Sequence, residues 1–220
     1  MATKAVFFDQ DGTLVDSLPG IEFSVDRALA KAKLPARELH LGPLIGPPIR
    51  QIFAQLVSQA DEQQLSGLEA AFRASYDSAG WRETRLHDNA AFTLAELSRA
   101  GVPLFLVTNK PTFATGRILE ALRIRHFFRD VLCRDGRTPA FQSKAEMLKV
   151  LTQLYNLEPA ECLYLGDTYE DYLAGLEAGM QTAIVTHGNH KFDGEHKCPE
   201  AIILKHFADF LERIEIKETA

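Results

Sequence analysis

The chain has 220 residues, 46% of them hydrophobic and 25% charged, and a formal net charge of −6. That length and composition suit one large globular domain, or a core with a modest insertion, and argue against disorder. The acidic balance and the lack of a basic run exclude nucleic acid and an anionic membrane surface as expected partners, while a phosphorylated small molecule, held locally by a cation and a few basic groups, stays open.

The first element is Ala5-Val-Phe-Phe8, a short apolar run that reads as a buried parallel strand and ends in Asp9-Gln10-Asp11-Gly12. Alternation along an extended chain sends Asp9 and Asp11 to one side and Gln10 to the other. Two adjacent carboxylates repel, so a divalent cation, a shared proton or both should compensate, unless the strand simply stops in a solvated acidic turn. After the loop Asp16-Ser17-Leu18-Pro19-Gly20, helical spacing of Ile21, Val25, Ala28, Leu29 and Ala32 predicts a helix that Leu34-Pro35 ends. The loop Leu41 to Pro48 is dense in glycine and proline, and helical periodicity returns at Ile49, Ile52, Phe53, Leu56 and Val57. A further helix runs from an N-cap at Asp61 to Ser78 and buries Leu65, Leu68, Phe72 and Tyr76.

From Asp88 strands and helices alternate. The predicted strands are Pro103–Val107, Asp130–Cys133, Cys162–Leu165, Thr182–Val185 and Ala201–Leu204. The predicted helices are Ala90–Ala100, Thr112–Leu122, Ser143–Tyr155, Tyr169–Ala178 and His206–Ile214. Such alternation implies right-handed crossovers and a parallel sheet covered on both faces. The fold class is therefore α/β, a doubly wound parallel-sheet core in 1–18 and 85–220, with an inserted all-helical cap in 19–84 over the carboxyl end of the sheet.

If Asp9 and Asp11 mark a site, other strands should end in useful groups there. The second ends Thr108-Asn109-Lys110, a hydroxyl and an amide before a helix N-terminus that favours anions. The fourth ends Gly166-Asp167, and Asp171 lies about one helical turn further, so the two acids can face one centre. Lys144 opens a helix, where the dipole prefers an anion, which makes it unexpected for structure alone. Singly, each has a plainer reading: Thr108 or Asp167 as an N-cap, Asp171 as a solvated helix face, Lys144 as a surface lysine. Their joint placement at successive strand ends favours a site.

In order, Asp9-Gln-Asp-Gly-Thr-Leu-Val-Asp-Ser17, Thr108-Asn109, Lys144 and Gly166-Asp167-x-x-x-Asp171 resemble the four motifs of the haloacid dehalogenase-like hydrolases, with most likeness to the phosphoglycolate phosphatase and β-phosphoglucomutase-like branch. The resemblance covers essentially the whole chain and implies a Rossmann-like core. It implies that Asp9 is the nucleophile forming an aspartyl-phosphate, and that Asp11 protonates the leaving alcohol and then activates water. It implies Mg²⁺ held by Asp9, the Asp11 carbonyl and Asp167, with Asp171 binding directly or through water. Thr108, the Asn109 N–H and Lys144 would bind the phosphoryl oxygens, and Gly12 would let the chain turn beneath them.

The chain also departs from the branch. Gln10 occupies a position that is usually apolar, 86–90 resembles the usual Pro- and Gly-containing hinge only loosely, and the loop Arg134–Gln142 lacks a Lys-Pro signature. Arg50, in the loop resembling the substrate-facing one after Gly46, either pairs with a substrate carboxylate or second phosphate or is a surface arginine. His187, His190, His196 and Cys198 are zinc-type ligands, but their spacing is irregular. Trp81 and Phe92 are expected to be packing residues.

Cys133, Cys162 and Cys198 are widely spaced, which suits a reducing compartment. The N-terminus lacks a signal-peptide core, and no apolar run nears the ~20 residues of a membrane span. The expectation is a cytoplasmic, Mg²⁺-dependent phosphatase of a small phosphorylated metabolite, monomer or homodimer, with phosphoglycolate-like monoesters first among substrates. A phosphosugar mutase sharing the nucleophile is the alternative. A non-catalytic regulatory protein is a third reading, and the complete set of acids speaks against it.

Overall fold

The computed structural model describes residues 3–34, 41–44, 47–187 and 198–213. Six parallel strands form the main sheet: β1 (Ala5–Phe8), β4 (Leu104–Thr108), β5 (Phe128–Cys133), β6 (Cys162–Gly166), β7 (Gln181–Val185) and β8 (Ile202–Leu204), in the order β5-β4-β1-β6-β7-β8. The other two strands, β2 (Val15–Asp16) and β3 (Arg85–Leu86), make a separate antiparallel ribbon.

Alternation along the strands divides the core into two layers. Val6, Phe8, Leu104, Leu106, Leu163 and Leu165 face α4 (Ala90–Arg99), α5 (Thr112–Ala121) and α8 (Asp209–Arg213), where Leu94, Leu97, Ile118 and Phe210 meet them. Ala5, Phe7, Phe105, Val107 and Tyr164 face α6 (Lys144–Leu154) and α7 (Tyr169–Glu177), packing on Met147, Leu148, Leu151 and Ala174. Because β1 is central and every residue in it is buried, it reads as a continuous apolar run.

Helices α1 (Leu18–Lys31), α2 (Ile49–Leu56) and α3 (Glu62–Ser78) follow β2 and build their own apolar cluster from Ile21, Val25, Leu29, Phe53, Leu68, Phe72 and Tyr76, touching the core through Ala114 of α5. Asp61 caps α3 in a reciprocal box with Gln64, as its position before the apolar stripe predicts. The inserted unit hangs between β2 and β3, whose pairs Val15–Leu86 and Asp16–Arg85 tie its two connections together.

Several expectations are corrected. Ala32 is exposed rather than part of the buried stripe of α1. Phe92 is not a packing residue: it is 58% exposed on α4, whose buried face carries Ala90, Thr93, Leu94 and Leu97. Trp81 does pack, half-buried between the inserted unit and the core. Cys133, Cys162 and Cys198 are buried and form no disulfide with one another. No helix among the described residues is long and apolar enough to cross a membrane.

Candidate active site

The central strand has β4 on one side and β6 on the other, and the chain reaches them through separate crossovers. The crevice beyond the carboxyl ends at such a switch point is where open α/β sheets bind ligands. Asp9 follows β1 there, with its N–H donating to the Leu165 carbonyl at 2.9 Å. Beyond it the chain turns tightly. Leu14 and Val15 both donate to the Gln10 carbonyl, and Gly12 takes a φ of +80°, a conformation that disfavours any side chain. Gly12 is required for a second reason: a Cβ there would lie 2.2 Å from Asp167 Oδ2. Gln10 is fully buried.

Asp9, Asp167 and Asp171 are all buried, and one oxygen from each lies within 4.8 Å of the others. Lys144, the first residue of α6, sets Nζ 3.0 Å from Asp9 Oδ1 and 2.6 Å from Asp171 Oδ1. Its place at a helix start, odd on dipole grounds, is accounted for by these two carboxylates. Asp171 is held further by the Tyr164 hydroxyl, which donates to Oδ1 at 2.7 Å, and by the Thr168 N–H and hydroxyl, which donate to Oδ2 at 3.1 and 2.6 Å. Thr168 is the N-cap of α7, so neither reading of Asp167 as a cap nor of Asp171 as a solvated face survives. Asp167 Oδ1 accepts from the Thr13 hydroxyl at 3.1 Å.

Burial, opposed by Lys144 and reinforced by Asp171 and Asp11, pushes the Asp9 carboxyl up to about 7. Burial, with Asp171 and Asp9 adding to it, holds Asp167 well above the ordinary carboxylate range. Burial would raise Asp171 too, but Lys144 and the Thr168 and Tyr164 donors outweigh it and hold that carboxyl below its usual value. Lys144 is held above its ordinary value: burial disfavours its charge, and Asp171 and Asp9 more than compensate. Three buried carboxylates thus share one ammonium. An all-oxygen set short of positive charge fits a hard divalent cation, which would let Asp9 and Asp167 ionise together.

Asp11 is treated differently. Lys110 Nζ sits 3.0 and 2.7 Å from its two oxygens, and the Ser17 hydroxyl donates to Oδ1 at 2.7 Å. Lys110 is buried and also lies 4.8 Å from the ring centre of Tyr76, on α3 of the inserted unit. Burial works against its charge, but Asp11 holds it above the usual lysine value. This lysine is a site residue that sequence reasoning missed, as it missed Tyr164 and Thr168 on Asp171. The lysine's only signal is position, one residue past Thr108-Asn109 at the same strand end.

Thr108 is buried and its hydroxyl accepts the Lys110 N–H at 3.1 Å; it is not an N-cap, since α5 starts after Pro111. Thr108, Asn109, Asp9, Asp11, Lys110 and Lys144 line a cleft of about 410 Å³ that is walled opposite by Pro47 to Ile52, Phe72 and Tyr76. That volume is in the range of small-molecule sites. Arg50 also lines it, but its guanidinium is 2.5 Å from Glu62 and 3.5 Å from Glu69. Of the alternative ligand set, His190 and His196 lie outside the described residues, as does Gly46. His187 instead lies with its ring centre 4.4 Å from that of His87, the two rings tilted, and with Nε2 3.2 Å from the Thr13 carbonyl, while Cys198 packs with Tyr172 and Ile184.

Comparisons with known proteins bear on the family and the fold. A sequence profile described as haloacid dehalogenase-like hydrolase matches residues 6–185. A phosphoglycolate phosphatase from Yersinia pestis is 31% identical over 218 residues, covering 97% of this chain and 94% of that protein. One from Mannheimia succiniciproducens is 33% identical over 220 residues, with 95% and 97% covered. Among solved structures, a haloacid dehalogenase-like family hydrolase from Streptococcus pneumoniae superposes with a TM-score of 0.85 at 27% identity, over 96% of this chain and 97% of that one.

Proposed function

The chain belongs to the haloacid dehalogenase-like hydrolase family, and we propose that it is a Mg²⁺-dependent phosphatase of small phosphorylated metabolites, phosphoglycolate-like monoesters first among them, working through an aspartyl-phosphate on Asp9. As a phosphoric monoester hydrolase it needs a nucleophile and a proton donor that do not interfere with one another. The observation that carries the reading is that division of labour: Asp9 shares its ammonium, Lys144, with Asp171, whereas Asp11 is held by Lys110 and Ser17.

Asp9, Asp167 and the Asp11 carbonyl would hold Mg²⁺, which supplies positive charge opposite the phosphoryl oxygens. Asp171, whose oxygens already accept from Lys144, Tyr164 and Thr168, would reach it through water and orient Lys144. Lys144, the Thr108 hydroxyl and the Asn109 N–H bind the phosphoryl oxygens. An Asp9 oxygen attacks phosphorus and the bond to the substrate oxygen breaks; Asp11, entering as the carboxylic acid, gives that oxygen its proton and is left as the carboxylate that Lys110 and Ser17 hold. Asp11 then takes a proton from water as the water attacks phosphorus, releasing phosphate and restoring the Asp9 carboxylate. The helical unit in 19–84 acts as a cap that closes the cleft and excludes bulk water, with Tyr76 over Lys110, the partner of Asp11.

The test is turnover of p-nitrophenyl phosphate and of phosphoglycolate, with Mg²⁺ and with chelator. Wild type should release phosphate only with the ion, and Asp9→Asn should be inactive. Full activity in Asp9→Asn would sink the reading, and isomerised product with little free phosphate from sugar phosphates would move it to a mutase.

A further inference from the structure

We propose that Arg134 binds a second anionic group, a carboxylate or a second phosphate, carried on the leaving-group side of the substrate. The inference rests on the phosphatase reading above and adds to it the residue that selects the substrate.

Among the described residues, five cationic side chains line the cleft: Arg50, Arg73, Lys110, Arg134 and Lys144. Four are engaged by carboxylates. Arg50 pairs with Glu62 and Glu69, Arg73 with Glu69 at 3.1 Å, Lys110 with Asp11 at 2.7 Å, and Lys144 with Asp9 and Asp171. Arg134 makes no ion pair and no side-chain hydrogen bond among the described residues, although it is partly buried. The acid next to it in the chain is turned elsewhere: Asp135 Oδ1 accepts from the N–H and the hydroxyl of Thr112, at 2.8 and 2.7 Å.

The mount is rigid. The Arg134 N–H donates to the Thr108 carbonyl at 3.0 Å, and the Arg134 carbonyl accepts from the N–H of Phe141 at 2.9 Å. Phe141 is itself buried in the layer beneath α6. Arg134 therefore stands at the end of β5, directly beside the strand whose last residue would hold the transferred phosphoryl group. Neighbouring strands are about 4.8 Å apart, so the Arg134 backbone lies one strand from that group, and its side chain lines the same cleft as Asp9, Asp11 and Thr108. A guanidinium presents a planar fork of donors that matches carboxylate and phosphate oxygens, and one held in place without a partner is prepared for such a ligand. Arg50 is the poorer candidate, since an incoming anion would have to displace two glutamates.

Two charged–neutral pairs test the inference: phosphoglycolate against its neutral amide, and propane-1,3-diol bisphosphate against the monophosphate. Wild type should prefer the charged member of at least one pair in kcat/KM, and that pair identifies carboxylate or phosphate. Arg134→Gln should cut the preference by about 10- to 100-fold, the worth of a hydrogen bond to a charged group, and Arg134→Lys should recover part of it. The ratio within a pair is insensitive to misfolding, which lowers both members alike. An unchanged preference in Arg134→Gln, or no preference in wild type, overturns the role of Arg134 while leaving a phosphatase. If wild type hydrolyses none of the four but turns over p-nitrophenyl phosphate with Mg²⁺, this inference fails alone; if it turns over neither, the phosphatase reading fails and this inference falls with it.

Discussion

Replacing Lys144 by methionine keeps an apolar side chain of similar length and removes the one ammonium that Asp9 and Asp171 share, at 3.0 and 2.6 Å. Lys144 is 7% exposed, so water cannot take over its role. Breaking a buried ion pair by deleting one partner costs about 3–5 kcal/mol, because a charge is left without compensation. In a chain of this size each kcal/mol moves the melting point by roughly 2–4 °C, so Lys144→Met should melt about 6–20 °C below wild type in chelator. Adding Asp171→Asn to that variant should recover part of the loss, because the two side chains are coupled. Saturating Mg²⁺ should also narrow the gap, since it brings positive charge to the same carboxylates. Thermal unfolding followed by circular dichroism reads all three. A Lys144→Met protein that melts within about 2 °C of wild type in chelator would refute the idea that the cluster is short of positive charge.

Asp9 titrates near 7 when folded, against an ordinary 3.8, so between those values the folded state holds a proton that the unfolded chain has lost. Its contribution to stability is therefore lost as pH rises. In chelator, wild type should lose on the order of 3 kcal/mol relative to Asp9→Asn between about pH 5 and pH 7, as denaturant titration would report, and Mg²⁺ should flatten the trend. Gly12→Ala would place a Cβ 2.2 Å from Asp167 Oδ2 at a φ of +80°, and overpacking of about 1–3 kcal/mol should weaken Mg²⁺ binding by roughly tenfold or more in calorimetry. Unchanged affinity would contradict the placement of Asp167 at the ion. Lys110→Met leaves Asp11 with Ser17 alone, and should slow alkyl phosphates about tenfold more than p-nitrophenyl phosphate, whose leaving group needs no proton. Equal effects on both substrates would place Lys110 outside proton transfer.

Much of the core is legible in the sequence because local signals and the global fold agree. Ala5 to Phe8 reads as a buried strand since it lies at the centre of the sheet, and Asp61 and Gln64 mark the start of α3 by their own hydrogen bonds. Gly12 is legible as a turn, but its closeness to Asp167 is a tertiary fact that spacing does not carry. The ribbon of β2 and β3 is invisible to periodicity, since each strand has two residues. Lys110 escapes for a similar reason: a lysine ahead of a helix reads as solvated, and only the fold brings Asp11 to it. Arg50 and Arg134 look alike as sequence, and what separates them is the company each keeps: two glutamates on α3 for Arg50, none among the described residues for Arg134. Phe92 falls in a helix whose buried stripe lies on the other side, a choice of face that one apolar residue cannot decide.

The proposal that Asp9 carries the phosphoryl group is tested most directly by a rapid-quench single turnover with phosphate-labelled substrate and Mg²⁺, followed by peptide mapping. Label should appear transiently on the peptide containing Asp9, be released by hydroxylamine as an acyl phosphate is, and be absent from Asp9→Asn. Turnover at the wild-type rate with no label on that peptide, or with label on another residue, would contradict the account.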